Sequence, residues 1–350
     1  MEEQMKVAVF TDVRKVEIKE VAKPRPQKGE VLVKVRACAI CTWEQRIFAG
    51  GSHMPLPYVG GHEVSGTIEE LGEGVDAKRW HVGMKVAPRL FYSCNECHQC
   101  RVGEQNLCEA SEEGKEDYGV PFPGIGGLSE YLRLKTTSLF ALSDKISFEQ
   151  GALSEPLACV VHSIERAKIE LGNDVVIIGA GIMGLLHLQL AKRQGAYVIV
   201  SEPSEERRAL ARKLGADEVI DPLGEDPVKK VKDLTEGRGA DVVIDAIAVS
   251  SAADQAIQMA GPMGRVVFYS SIHPDNPITV SPNMIHHTEI TITGSVSPDI
   301  TDFLRSTILL SKGMLEVSPL ISDVVPLSRV QEAFEESLNP KNYRIVVKFD

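Results

Sequence analysis

The chain has 350 residues, 43% hydrophobic and 25% charged, an ordinary globular composition and a length that suits two domains better than one core. Its net charge of -11, from 49 acids against 38 bases, excludes the basic surface that binding to nucleic acid or an anionic membrane requires. Neither a signal peptide nor a membrane-spanning run is visible, and the expectation is a soluble, cytoplasmic protein without a nucleic-acid or membrane partner.

Residues 1 to about 155 read as β-rich. Alternating and β-branched runs such as VLVKVRACAI, VSGTIEELG and KVAPRLF are punctuated by glycine and proline, which predicts a partly closed antiparallel barrel with long loops. Cys41 lies in ACAICTWEQRIF and His62 with Glu63 in GGHEVSG, one thiolate, one imidazole and one carboxylate of ligand type. Cys94, Cys97, Cys100 and Cys108 then crowd one loop, CNECHQCRVGEQNLC. Four thiolates on such spacing predict a closed tetrahedral zinc site with no position left for chemistry. An iron–sulfur cluster is the competitor, but its bacterial pattern closes after three residues with Cys-Pro, whereas Cys108 follows after seven and precedes Glu109. Seven cysteines with four in such a loop point to a reducing compartment. Glu155, in SEPLACVVH at the expected junction of the domains, adds a second carboxylate that would face a nicotinamide held by the next domain. His53, His81, His162, His187, His286 and His287 read as surface or packing residues.

From residue 156 to 292 apolar strands alternate with helical stretches, which predicts a doubly wound parallel sheet covered on both faces. DVVIIGAG is its first strand and turn, and Gly179, Gly181, Ile182, Met183 and Gly184 carry the turn into a helix. In this G-x-G-x-x-G pattern the first glycine permits the tight turn, the second admits a pyrophosphate, and the third lets helix and strand pack closely. Glu202 ends the next strand, where a carboxylate binds ribose hydroxyls and repels a 2′-phosphate, so NAD is favoured over NADP. Arg207 and Arg208 soften that preference. Beyond residue 293 come the helical stretches DITDFLRSTILLSKG and LSRVQEAFEESL and a closing strand, YRIVVKFD, expected to return to the first domain, which is then 1–155 with 293–350.

The chain resembles the zinc-dependent medium-chain dehydrogenases. Gly61, His62, Glu63, Gly66, Gly72 and Val75 match G-H-E-x2-G-x5-G-x2-V in full, and the four-cysteine loop, FPGIGGLSEY and the dinucleotide motif follow in the family's order. The Glu63 and Glu155 pair resembles the branch acting on sorbitol, threonine and other polyols or secondary alcohols. The resemblance implies a GroES-like catalytic domain and a Rossmann domain, two zinc ions per chain (one catalytic, one structural), and a homotetramer or dimer. It implies that Cys41 and His62 ligate the catalytic zinc, that Glu63 and Glu155 compete for the remaining position, and that Glu44, where the family usually has aspartate, orients His62. It also implies passage of Ser295 and Val296 near the nicotinamide. The reaction implied is reversible NAD-linked oxidation of a polyol or secondary alcohol to the ketone, with threonine 3-dehydrogenation as the alternative and an NAD-binding protein without turnover as the reading from another class. Two departures stand out. Trp43 occupies the place of the usual Ser or Thr proton acceptor, and Arg46 that of the usual relay histidine. Thr42, or a water held by Glu63 or Glu155, is left as the expected acceptor.

Overall fold

The computed structural model describes residues 3–52, 54–111 and 116–350, so His53 lies outside the described residues. The chain forms two compact units, 1–158 with 299–350, and 159–298. No helix among the described residues is long and apolar enough to cross a membrane.

The first unit holds strands β1 (Gln4–Asp12), β2 (Lys15–Ala22), β3 (Glu30–Ala39), helix α1 (Thr42–Phe48), β4 (Glu63–Leu71), β5 (Lys85–Pro88), α2 (His98–Val102), β6 (Tyr131–Lys135), β7 (Leu139–Ala141) and α3 (Phe148–Ala152), and helix α4 (Ser154–Ala167) begins in it. β1 and β2 pair as a separate two-stranded sheet. The main sheet runs β14-β15-β3-β4-β5-β7 with β6 also on β3, where β14 is Ile321–Pro326 and β15 is Arg344–Lys348. Its pairs are antiparallel except β14 with β15. The strand-forming residues are Val31, Val33, Val35, Ile68, Val86, Ile345 and Val347, all buried in one apolar core with Phe10, Phe48 and Phe334. β-branched side chains suit this pleated, half-buried surface. Phe334 comes from helix α11 (Val330–Ser337), which packs on β15.

The second unit carries β8 (Asp174–Ile178), α5 (Ile182–Arg193), β9 (Tyr197–Ser201), α6 (Glu205–Lys213), β10 (Glu218–Ile220), α7 (Pro227–Leu234), β11 (Ala240–Asp245), α8 (Ser250–Met259), β12 (Ala260–Phe268), α9 (Pro282–Thr288) and β13 (Thr291–Gly294). All six strands are parallel, in the order β10-β9-β8-β11-β12-β13. That is the doubly wound order, whose direction reverses between β8 and β11. The central strand β8 is apolar from Val175 to Ile178, all four buried, because helices cover both faces. Local signals set the helix starts: Ser204 accepts the amide of Arg207 ahead of α6, and Asp226 accepts those of Val228 and Lys229 with Pro227 at the first helical position of α7. β13 was not expected from the sequence; its four residues are short and only partly buried. Helix α10 (Ile300–Ser311) returns the chain to the first unit, opened by an Asp299–Asp302 capping box.

Candidate active site

Three chain segments meet at one end of the seven-stranded sheet. Ala39 at the end of β3 pairs with Glu63 at the start of β4 and with Val346 of β15. The amide of Ile40 donates to the carbonyl of Ile345 at 2.9 Å. Cys41, Glu63 and Arg344 are thereby brought together, although 303 positions separate the first from the last. The ligand atoms of Cys41, His62 and Glu63 lie within 4.8 Å of one another.

His62 is aimed by the residue before it. Gly61 has φ +91°, and a Cβ there would stand 2.7 Å from the backbone nitrogen of Leu128 and 2.8 Å from the carbonyl carbon of Gly127. Only glycine fits both the left-handed conformation and the gap. Glu44, on α1 and buried, anchors the far side of the ring. Its Oε1 accepts the amide of Gly61 at 2.9 Å and lies 2.7 Å from Nδ1 of His62. A carboxylate only accepts, so Nδ1 donates, and Nε2 is left as the atom that ligates a metal. Burial opposes charge on this imidazole, but the Glu44 carboxylate and Cys41 outweigh it and raise its proton affinity well above the usual value. Burial and then Glu63 push the Cys41 thiol up, against Arg344 and His62. Glu155, in the first turn of α4, places Oε2 4.0 Å from Nε2 of His62. A half-buried thiol, an oriented imidazole and two carboxylates form a donor set that suits zinc.

Arg344 is the participant that the sequence reading missed. Its Nε and Nη2 donate to the two oxygens of Glu63 at 3.0 and 2.7 Å, and Nη2 lies 3.8 Å from Sγ of Cys41. Both partners of the pair are buried, and although burial disfavours the guanidinium charge, Glu63 and then Cys41 raise its pKa. The available signal was an arginine opening a terminal strand whose next three residues are apolar. Trp43 stands edge-on to His62 at 6.1 Å between ring centroids and to Tyr58 at 5.9 Å. Thr42 is exposed, at the first position of α1.

The four-cysteine loop forms its own cluster, with its sulfurs all within 4.8 Å of one another. Sγ of Cys94 and Cys100 are 3.9 Å apart, where tetrahedral zinc with bonds of about 2.3 Å would set sulfurs about 3.8 Å apart. Backbone amides point at the sulfurs: Cys97 to Cys94 at 3.3 Å, Cys100 to Cys97 at 3.5 Å, and Cys94 to Cys108 at 3.3 Å. Such bonds, from Cys100 and Glu109, lower the Cys97 thiol to about 6, and the amide of Cys94 lowers Cys108. Burial, with Cys97 adding to it, pushes Cys100 up to about 12.

In the second unit Gly179 turns the chain at φ +98° and Gly181 caps α5 without a side-chain hydrogen bond. A helix start of this kind offers backbone N–H groups to an anion. Ile182 and Met183 form its first turn. A Cβ on Gly184 would fall 1.9 Å from the carbonyl oxygen of Gly179. Gly184→Ala is therefore expected to push the helix off the turn and abolish dinucleotide binding, read by calorimetric titration. Glu202 follows β9; its Oε2 accepts the amide of Ala180 at 2.8 Å and its Oε1 that of Ser204 at 2.9 Å. It thus ties the glycine-rich turn to the end of β9. An ideal Cβ on Gly181 would lie 4.0 Å from Nη1 of Arg207. Arg208 instead turns inward, donating to the carbonyls of Glu202 and Pro203 and to Glu205. Ser295 donates its amide to the carbonyl of Phe268, and Val296 beyond it is 58% exposed.

The family model of the alcohol dehydrogenase GroES-like domain matches residues 27–144, and that of the zinc-binding dehydrogenases matches 183–311. L-threonine 3-dehydrogenase of Pyrococcus horikoshii is 34% identical over 94% of this chain and 94% of its own. D-arabitol-phosphate dehydrogenase of Enterococcus avium is 32% identical over 93% and 91%. The crystal structure of 2R,3R-butanediol dehydrogenase from Bacillus subtilis superposes with a TM-score of 0.85 at 29% identity, over 98% of this chain and 99% of that one. The chain belongs to the zinc-dependent medium-chain dehydrogenase family. It is an oxidoreductase of the zinc-dependent alcohol dehydrogenase type, and its two domains are of GroES-like and NAD-binding kind. In this dehydrogenase the metal-ligand cluster and the four-cysteine loop both belong to the GroES-like unit, and the glycine-rich turn belongs to the other.

Proposed function

We propose that this dehydrogenase oxidises a polyol or secondary alcohol to the ketone, reversibly, with NAD. The observation that carries the reading is the oriented His62 beside Cys41, Glu63 and Glu155. Cys41 and His62 hold the catalytic zinc, and a carboxylate completes the site. Glu63 has both oxygens committed to Arg344, whereas Glu155 faces Nε2 of His62. Glu155, rather than the clamped Glu63, is therefore the carboxylate assigned to the metal. When bound, zinc supplies Lewis acidity that lowers the pKa of the alcohol, and NAD supplies the hydride acceptor.

The chain does the rest. Glu44 holds the proton on Nδ1 of His62 and fixes the ring, and the Glu63–Arg344 pair adds no net charge behind Cys41. Trp43 forms one wall beside His62 and has no oxygen to accept the proton of the alcohol. Glu155, and Thr42 next to Cys41 in the chain, are the proposed acceptors. In the second unit the amides at the start of α5 bind the pyrophosphate, and Glu202 binds the adenosine ribose with the lone pairs its two backbone bonds leave over. Arg207 stands by the phosphates, and Ser295 and Val296 border the nicotinamide. A carboxylate at 202, with Arg208 turned inward, favours NAD over NADP.

The test is nicotinamide absorbance on zinc-loaded protein, with NAD and NADP against polyols, polyol phosphates, secondary alcohols and threonine, each with a chelator control. Chelator-sensitive NAD reduction on polyols or secondary alcohols is the expected result; turnover confined to threonine would select the amino-alcohol reading, which the similarity to L-threonine 3-dehydrogenase keeps open. Binding of NAD with silence across the panel would select a protein without turnover. The four-cysteine loop holds a second, structural zinc. Cys97→Ser with Cys108→Ser is expected to release that ion and lower Tm by several degrees, because its binding energy is folding energy. A homotetramer or dimer in a cytoplasmic setting completes the proposal, with sedimentation velocity as the check on assembly.

A further inference from the structure

Glu44 is one methylene longer than the aspartate that usually orients the metal-binding histidine, and that extra group has to go somewhere. Its backbone is fixed in α1, whose Ile47 and Phe48 are locked in the core. The backbone of His62 is fixed as well, because Glu63 beside it already pairs with Ala39 in the β3–β4 ladder. With both ends set, the longer arm brings Oε1 within 2.7 Å of Nδ1.

The added methylene lies against Gly60. A Cβ on Gly60 would lie 2.9 Å from Cγ of Glu44 and 3.6 Å from its Oε1. Real Cβ atoms essentially never approach another heavy atom that closely, so the extra methylene occupies the room that the missing side chain leaves. Gly60 is buried, and it is not among the residues of positive φ, so its backbone does not itself demand glycine. What requires glycine there is space. Nor does a second anchor hold the carboxylate, since Oε2 is buried without a hydrogen-bond partner. Its position depends on the two bonds at Oε1, to Gly61 and His62, and on the hole at Gly60.

We infer that Gly60 and Glu44 are a matched pair that positions His62, so that residue 60 controls the catalytic metal site without touching metal or substrate. This rests on the reading of His62 as a metal ligand. A Cβ at 60 must displace Glu44, and Glu44 can move only by releasing Nδ1 of His62 or the amide of Gly61. Shortening residue 44 removes the atom in conflict.

The test compares Gly60→Ala, Glu44→Asp and the double variant. Gly60→Ala is expected to lose about 100-fold in kcat/KM, the effect of a displacement near 1 Å in a site that must be held in place. It is also expected to lose zinc to a mild chelator faster than the parent, and to lose the low-field Nδ1 proton resonance of His62 in protein depleted of catalytic zinc. Adding Glu44→Asp should recover about tenfold or more in kcat/KM, together with zinc retention and the resonance, the signature of coupled neighbours. A double variant no better than Gly60→Ala would overturn the pairing. So would recovery by Phe10→Leu in its place, because Cε2 of Phe10 lies 3.0 Å from the same Cβ position. Should Gly60→Ala fail to fold, recovery of a folded chain by Glu44→Asp supports the pair and its continued failure overturns it. If the parent holds no zinc at Cys41 and His62, the metal reading fails, and the proton resonance still decides the pairing.

Discussion

Cys41→Ala is expected to reduce kcat/KM by about 10⁴-fold while NAD binding stays close to the parent's. Loss of the thiolate removes one of the anchors of the proposed catalytic zinc, and Lewis-acid assistance is worth several kcal/mol, each 1.36 kcal/mol being about tenfold in rate. The fold should tolerate the change, because Cys41 sits just past the end of β3 and caps α1 without a side-chain hydrogen bond, so alanine disturbs no strand or cap. The glycine-rich turn lies in the other unit and keeps its dinucleotide. Elemental analysis should find the metal of the four-cysteine loop retained and the other lost. Activity near the parent level in a variant shown to lack the second metal would remove Cys41 from the site.

Arg344→Leu is expected to destabilise the first unit by about 3–5 kcal/mol, since it strands the buried Glu63 carboxylate without its counter-charge. Thermal unfolding should report this as a Tm lower by roughly 10 °C. The same variant should raise the proton affinity of Cys41, whose thiol Arg344 now helps to lower, and so weaken metal binding at neutral pH. Adding Glu63→Leu removes the stranded charge, and the double variant should recover most of the lost stability. That recovery separates a charge-pair effect from simple loss of packing. If the double variant is less stable than Arg344→Leu alone, the pair is not what holds this end of the sheet together.

These expectations differ in how far the sequence foretold them. The four cysteines share one short loop, and α2 with its flanking turns brings them together through backbone amides only a few residues apart. Local spacing of that kind can be read directly. The glycine-rich turn is equally local: strand, turn and helix are contiguous, and the clash of a Cβ at Gly184 with the carbonyl of Gly179 arises within six residues. The alternation of apolar strands and helices after residue 156 was enough to name a doubly wound sheet, because burial on both faces leaves an apolar run that composition alone reveals.

Arg344 was out of reach for the opposite reason. Its partnership with Glu63 spans 281 positions and exists only because β15 pairs with β3, which pairs with β4. β13 was hidden by its brevity and partial exposure, and β14 by the exposure of most of its residues and its parallel pairing to β15 in an otherwise antiparallel sheet. The inward turn of Arg208 was decided by carbonyls at the end of β9 that a sequence does not place. The family, the two-domain α/β architecture and the residue types gathered for metal and dinucleotide chemistry were legible along the chain, because those signals lie in short, contiguous stretches. Which charge faces which follows only from the folded arrangement. Whether Glu63 is clamped, how Glu44 reaches His62 and why residue 60 is glycine depend on ångström-scale distances between segments far apart in the chain.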